Sequence, residues 1–119
     1  MREPGPDHPI TVTPSGRHVV VRIGGQIVAE SDRALVLQET TMPPVFYIPR
    51  EDARMDLMTR TNNSSTCPYK GVASYYSVTS GDRTAENAVW SYETPYHWMS
   101  AIAGHLAFYP NRVDAIEAT

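Results

Sequence analysis

Short runs in which hydrophobic and polar positions alternate, broken by proline and glycine, cover most of this chain and predict strands rather than long helices. Arg17 to Ile23 (RHVVVRI) is β-branched and compact and reads as a strand. Gly24-Gly25 supplies the positive φ angles of a tight turn, and Gln26 to Glu30 returns as its partner. Ser31-Asp32-Arg33 turns the chain again and Ala34 to Glu39 gives a third strand, so the pattern predicts a β-meander. Val45 to Ile48 resumes the strand pattern. Pro49 followed by Arg50-Glu51-Asp52 is a helix-start signature, because early helical amides lack partners and favour acids. A short helix is therefore predicted from Pro49 to Met58, with Thr59 to Thr66 as a polar surface loop. Val72 to Thr79 and Asn87 to Tyr92 read as strands, the second carrying Trp90 and Tyr92 on one face. Thr94 to Ser100 reads as a loop with a single helical turn, and Leu106 to Tyr109 and Val113 to Ile116 as the last strands. Ahead of all these, Pro4, Pro6, Pro9 and Pro14 make residues 1–16 an extended arm that packs near Ile10 and Val12. The expectation is a proline-rich arm (1–16) and a single domain (17–119), mainly β and antiparallel, with one or two short helices.

Composition narrows the classes of function. The net charge of −3 provides no basic field for nonspecific binding of nucleic acid or an anionic membrane. One cysteine excludes an internal disulfide and any zinc site built from several thiolates. No apolar run approaches the ~20 residues that span a bilayer, and residues 1–16 lack the apolar segment of a secretory signal. A cytoplasmic protein, monomer or homodimer, is expected, with no metal and no cofactor.

The densest concentration of chemistry is Thr66 to Val78 (TCPYKGVASYYSV). Cys67 is ordinarily the kind of residue that packs as a small apolar side chain. As a nucleophile it would need a lowered pKa, for which Lys70, three residues on, is the nearest cation. Gly71 beside Lys70 would let backbone amides approach an anionic group. Seven tyrosines against two phenylalanines bring many hydroxyls that need partners, which suits a half-polar cavity. Tyr75 and Tyr76 are adjacent and must point to opposite faces, so only one lines a given pocket. On the predicted helix, Arg50 and Arg54 lie one turn apart, as do Asp52 and Asp56, a spacing open to anion or metal binding but commoner on a solvated face. The phosphate-loop, dinucleotide, zinc-protease and nucleophile-elbow motifs do not occur, nor do paired strand carboxylates of the two-metal type.

The ordered set Gly25, Ile27-Val28-Ala29-Glu30-Ser31, Phe46-Tyr47-Ile48-Pro49-Arg50-Glu51-Asp52, Cys67-Pro68-Tyr69-Lys70-Gly71, Tyr75-Tyr76-Ser77-Val78, Val89-Trp90-Ser91-Tyr92 and Ala107-Phe108-Tyr109 resembles the domain of unknown function 427 family over residues 17 to 117. The resemblance implies a small, mostly bacterial protein of a family also labelled nucleotidyltransferase-like. It also implies a β-tent, two antiparallel sheets meeting at an angle, a fold similar to that of B-type methionine sulfoxide reductases. Relatives of that fold hold small ligands in an aromatic pocket between the sheets.

Residues and resemblance together lead to a small-molecule binding domain. Its expected pocket is lined by Tyr47, Tyr75, Trp90 and Tyr92, with Arg50 and Lys70 supplying positive charge for an anionic or polar ligand and Cys67 at the rim. The alternatives are a thiol-dependent enzyme using Cys67 and Lys70, a nucleotidyltransferase-like enzyme, and an interaction module anchored on exposed Tyr96 and Trp98.

Overall fold

The computed structural model describes all 119 residues, and it is mainly β with three short 3-10 turns. Ten strands run in order: β1 (Ile10–Pro14), β2 (Val19–Ile23), β3 (Gln26–Ser31), β4 (Leu35–Glu39), β5 (Val45–Tyr47), β6 (Met58–Cys67), β7 (Gly71–Ser80), β8 (Arg83–Ser91), β9 (Ala107–Phe108) and β10 (Ala115–Ala118). Hydrogen bonding divides them among three antiparallel sheets, β1-β4-β5, β10-β2-β3 and β6-β7-β8-β9, one more than the two expected.

The glycine pair at Gly24-Gly25 closes the β2–β3 hairpin with φ of +60° and +75°. Gly24 has a second constraint, since a Cβ there would sit 2.4 Å from the Ser80 carbonyl oxygen. The meander ends after that hairpin. β4 leaves β3 and pairs instead with β1 and β5, so the second half of the N-terminal arm is a sheet strand.

The four-stranded sheet is the central layer. Alternation along its strands sends neighbouring residues into different cores. Tyr76, Val89 and Phe108 join Val19, Val21, Ile23 and Val28 of β2 and β3 in the larger core. Tyr75, Trp90 and Ala107 turn the other way, toward Leu37 and Tyr47 of β4 and β5. The β5 chain crosses between these cores, because Tyr47 belongs to one and Ile48 to the other. Ile48 and Leu106 exchange backbone hydrogen bonds at 2.8 Å and tie the crossing in place.

Two local expectations are corrected. The helix from Pro49 to Met58 is two single 3-10 turns, Arg50–Asp52 and Met55–Leu57. Ala53 between them is extended (φ −116°, ψ 151°) and bridges Ala29, while the Arg54 amide donates to the Val28 carbonyl. Pairing with β3 therefore satisfies the backbone groups that a continuing helix would have used. The polar stretch Thr59 to Thr66 is part of β6, an edge strand paired with β7 across a bulge between Arg60 and Ser64. Most of its side chains face solvent, which explains why its composition reads as a loop. The remaining strands follow the expected order with shifted ends. β8 begins at Arg83, four residues early, carried past a bulge by Asn87 at φ +49°. Asparagine tolerates that left-handed conformation, and here its amide is held by Ser77 Oγ at 3.0 Å.

Candidate functional site

The smaller core does not close completely. It encloses a cavity of about 240 Å³ lined by Leu37, Glu39, Tyr47, Lys70, Tyr75, Trp90, Tyr92 and Tyr109, with Ser65 beside Tyr75 and Met42, Pro43 and Val45 completing the lining. The four anticipated aromatic residues and Lys70 are thus brought together from β5, β7, β8 with the residue that follows it, and the turn after β6.

The aromatic groups are fixed by their own contacts. Trp90 Nε1 donates to the Tyr47 hydroxyl at 3.2 Å, and the two rings stand at 88°. Tyr109 is inclined 44° to Trp90 with centroids 4.4 Å apart, and the Arg112 guanidinium lies 4.4 Å from the centre of its ring. The Tyr75 hydroxyl bonds Ser65 Oγ at 2.8 Å and the Tyr109 hydroxyl at 3.1 Å. Tyr92, 7% exposed, makes no hydrogen bond through its hydroxyl, which keeps accessible surface on the cavity it lines. Burial raises the pKa of the Tyr47 and Tyr92 phenols. Burial, followed by the bond from Tyr75, pushes Tyr109 up to about 12. All three are therefore neutral phenols at ordinary pH.

At one side of the cavity lies a buried ion pair. Lys70 Nζ donates to Glu39 Oε1 at 2.5 Å, and the other carboxylate oxygen, Oε2, meets His8 Nε2 at 2.7 Å. The Lys70 and Glu39 side chains are 9% and 14% exposed. Burial opposes ionisation of Glu39, but the hydrogen bonds from Lys70 and His8 outweigh it and hold the carboxyl below its ordinary pKa. His8 reaches this position because the arm is docked. Its ring stacks on Tyr69 at 3.9 Å, the Arg2 amide bonds the Pro68 carbonyl and Thr40 N–H bonds the Pro9 carbonyl. Thr40, next to Glu39, has φ +50°, a conformation that costs a β-branched residue energy and that these contacts impose.

The remaining anticipated residues lie elsewhere or act differently. Arg50 is not in the cavity. Its guanidinium bonds the Gly104 carbonyl, the Tyr76 hydroxyl and Glu93 at 3.1, 3.2 and 3.1 Å, pinning the first 3-10 turn to the opposite face of the central sheet. Arg54 pairs with Asp56, while Asp52 takes Ser31 Oγ and Arg33, so neither helix pair converges on a ligand. Cys67 sits half-buried behind the lining, with its sulfur 3.7 Å from Lys70 Nζ, and no histidine bonds it. Gly71 adopts a backbone conformation that favours glycine. Its φ is +114°, an added Cβ would meet Pro95 and Tyr96 at ordinary contact distance, and the Tyr96 amide bonds the Lys70 carbonyl. Tyr96 and Trp98 are half-buried rather than exposed, and Trp98 Nε1 donates to the Tyr69 carbonyl at 2.8 Å. No three His, Cys, Asp or Glu side chains gather as metal ligands.

Sequence reasoning missed His8 and Glu39. Glu39 left a trace, since Leu35, Leu37 and Glu39 alternate onto one face and place an acid at the end of a core-facing row. His8 left none, because only the docked arm brings it across 31 residues to Glu39.

Fold and cavity define a mainly-β protein with a small aromatic chamber built on a buried ion pair. The sequence model of the family described as a domain of unknown function (DUF427) matches residues 11–119, and the chain belongs to that family. No curated protein matches it. The family match begins beyond His8, so the arm residue that holds Glu39 lies outside it. No helix is long and apolar enough to cross a membrane.

Proposed function

We propose that this protein is a small-molecule binding domain whose ligand occupies the cavity among Tyr47, Lys70, Tyr75, Trp90 and Tyr92. The observation that carries this reading is the convergence of Tyr47, Tyr75, Trp90 and Tyr92 with the Lys70–Glu39 pair on one cavity. The Tyr92 hydroxyl has no protein partner and keeps accessible surface, so a polar ligand can bond it. The size supports a compact ligand, since about 240 Å³ falls short of the roughly 300–1,000 Å³ of drug-sized sites. Glu39 offsets the charge of Lys70, which favours a polar ligand over a strongly anionic one such as a triphosphate.

Native mass spectrometry of the purified protein, with the same sample denatured, tests for a co-purified small molecule. A thermal-shift panel of polar metabolites provides the second assay, and Lys70→Ala is expected to lose any stabilisation found. A hit that stabilises Lys70→Ala as strongly as the wild type would remove Lys70 from the site. The thiol-dependent reading rests on the contact between Cys67 and Lys70. It requires that iodoacetamide modify Cys67 with an inflection well below about pH 8.5, and an inert thiol would end it.

A further inference from the structure

The charges and wall angles of the cavity narrow the ligand class, an inference that rests on the cavity being a binding site. Its lining carries one cation, Lys70, and one anion, Glu39, already in contact. A ligand with net charge would leave one buried charge uncompensated, which is unfavourable where solvent is excluded. A net-neutral ligand avoids that cost. The two partners are not equally committed, however. Glu39 spends Oε1 on Lys70 and Oε2 on His8. The Lys70 ammonium has three N–H donors, of which Glu39 takes one and the Cys67 sulfur a weak one at 3.7 Å. The third is left for an acceptor in the cavity, and a carboxylate is the acceptor that suits an ammonium best.

The aromatic walls supply the complement. Tyr47 and Trp90 meet at 88°, so their rings form a corner rather than a slot, while Tyr109 is already covered by Trp90 and by the Arg112 guanidinium, each 4.4 Å from its ring centre. The one parallel pair, Tyr75 and Tyr109, has centroids 6.3 Å apart and shares a hydroxyl–hydroxyl bond, which leaves no gap for a flat ring between them. A corner of electron-rich rings fits a rounded cation, and an alkylated ammonium loses little hydration on entering it. We infer that the cavity takes a small zwitterion, its carboxylate on Lys70 and its alkylated ammonium against the corner of Tyr47 and Trp90. The volume equals about eight water molecules of liquid, which suits an N-methylated amino acid with on the order of eight non-hydrogen atoms.

The test is calorimetric titration of the full chain at about pH 8, where free histidine is neutral, with three probes. Glycine betaine has both charges. 3,3-Dimethylbutanoate has the same shape with carbon in place of the charged nitrogen. Choline has the same cation with a hydroxyl in place of the carboxylate. Glycine betaine is expected to bind at least about tenfold tighter than either. Because the comparison uses the unaltered protein, it does not depend on a variant folding. Equal binding of 3,3-dimethylbutanoate would overturn the role of the rings and leave an anion site. Equal binding of choline would overturn the role of Lys70. If none binds while a co-purified or screened ligand does, the zwitterion class is wrong and the cavity stands. If no ligand of any kind binds, both fall.

Discussion

At the residue scale the ion pair Lys70–Glu39 has the largest consequence, because it couples charge, burial and the arm. Removing one partner strands the other, so Glu39→Gln is expected to cost about 3 kcal/mol at neutral pH, measured by urea unfolding. The sign of the pH dependence follows from the folded-state pKa, which lies below the ordinary carboxyl value of 4.5. The unfolded chain binds the proton first, so the stability from Glu39 is complete above about pH 4.5 and is lost as pH falls through the folded value. The difference in melting temperature between wild type and Glu39→Gln should therefore shrink as pH drops below that point. A constant difference would mean that the pair does not set the titration. Tyr92 offers the opposite kind of test. Its hydroxyl has no partner to lose, so Tyr92→Phe should change stability by less than about 1 kcal/mol while weakening any ligand that bonds the phenol.

At the element scale the arm and the end of β4 act together. Thr40 holds φ +50° because its amide is tied to Pro9 and its neighbour Glu39 is tied to His8. A glycine relieves the side-chain clash of that conformation, so Thr40→Gly is expected to raise stability by about 0.5–1 kcal/mol in chemical denaturation. A destabilised variant would show that the threonine side chain does something its contacts do not reveal. The 3-10 turns after Pro49 illustrate how tertiary pairing overrides a local signal. Proline and two acids begin a helix correctly, and the bridge of Ala53 to Ala29 ends it after one turn.

At the scale of the whole molecule, the central sheet separates two kinds of core. The larger, built on Val19, Val21, Val28 and Val78, borders an apolar cavity at Val21, Ile48, Phe108 and Ile116, whereas the smaller carries the cavity with the ion pair, and Val78 lines neither. Stability and binding should therefore respond to different substitutions. Val78→Ala, at a position with no exposure, is expected to cost about 2 kcal/mol and leave ligand affinity unchanged. A matching loss of affinity, measured well below the unfolding transition, would mean that the two cores are not independent.

The sequence by itself determined the mainly-β class, most strand positions, the glycine turn at Gly24-Gly25 and the family, because alternation and turn residues are local signals. Strand parity also placed Trp90 and Tyr92 on one face and set Tyr75 against Tyr76, but parity acts within a strand and does not bring Tyr47, Lys70 and Tyr75 together. Only the tertiary structure decided that Arg50 belongs to the opposite face, with Tyr76 and Glu93. Only it showed that the polar run Thr59 to Thr66 is an edge strand, because composition records exposure and not pairing. The stretch around Lys70 changed most in meaning. A lysine in a sequence is a free cation, and its charge at a site depends on what the fold sets against it. Here that is Glu39, at the end of another strand, held in turn by a histidine from an arm whose docking no local pattern encodes.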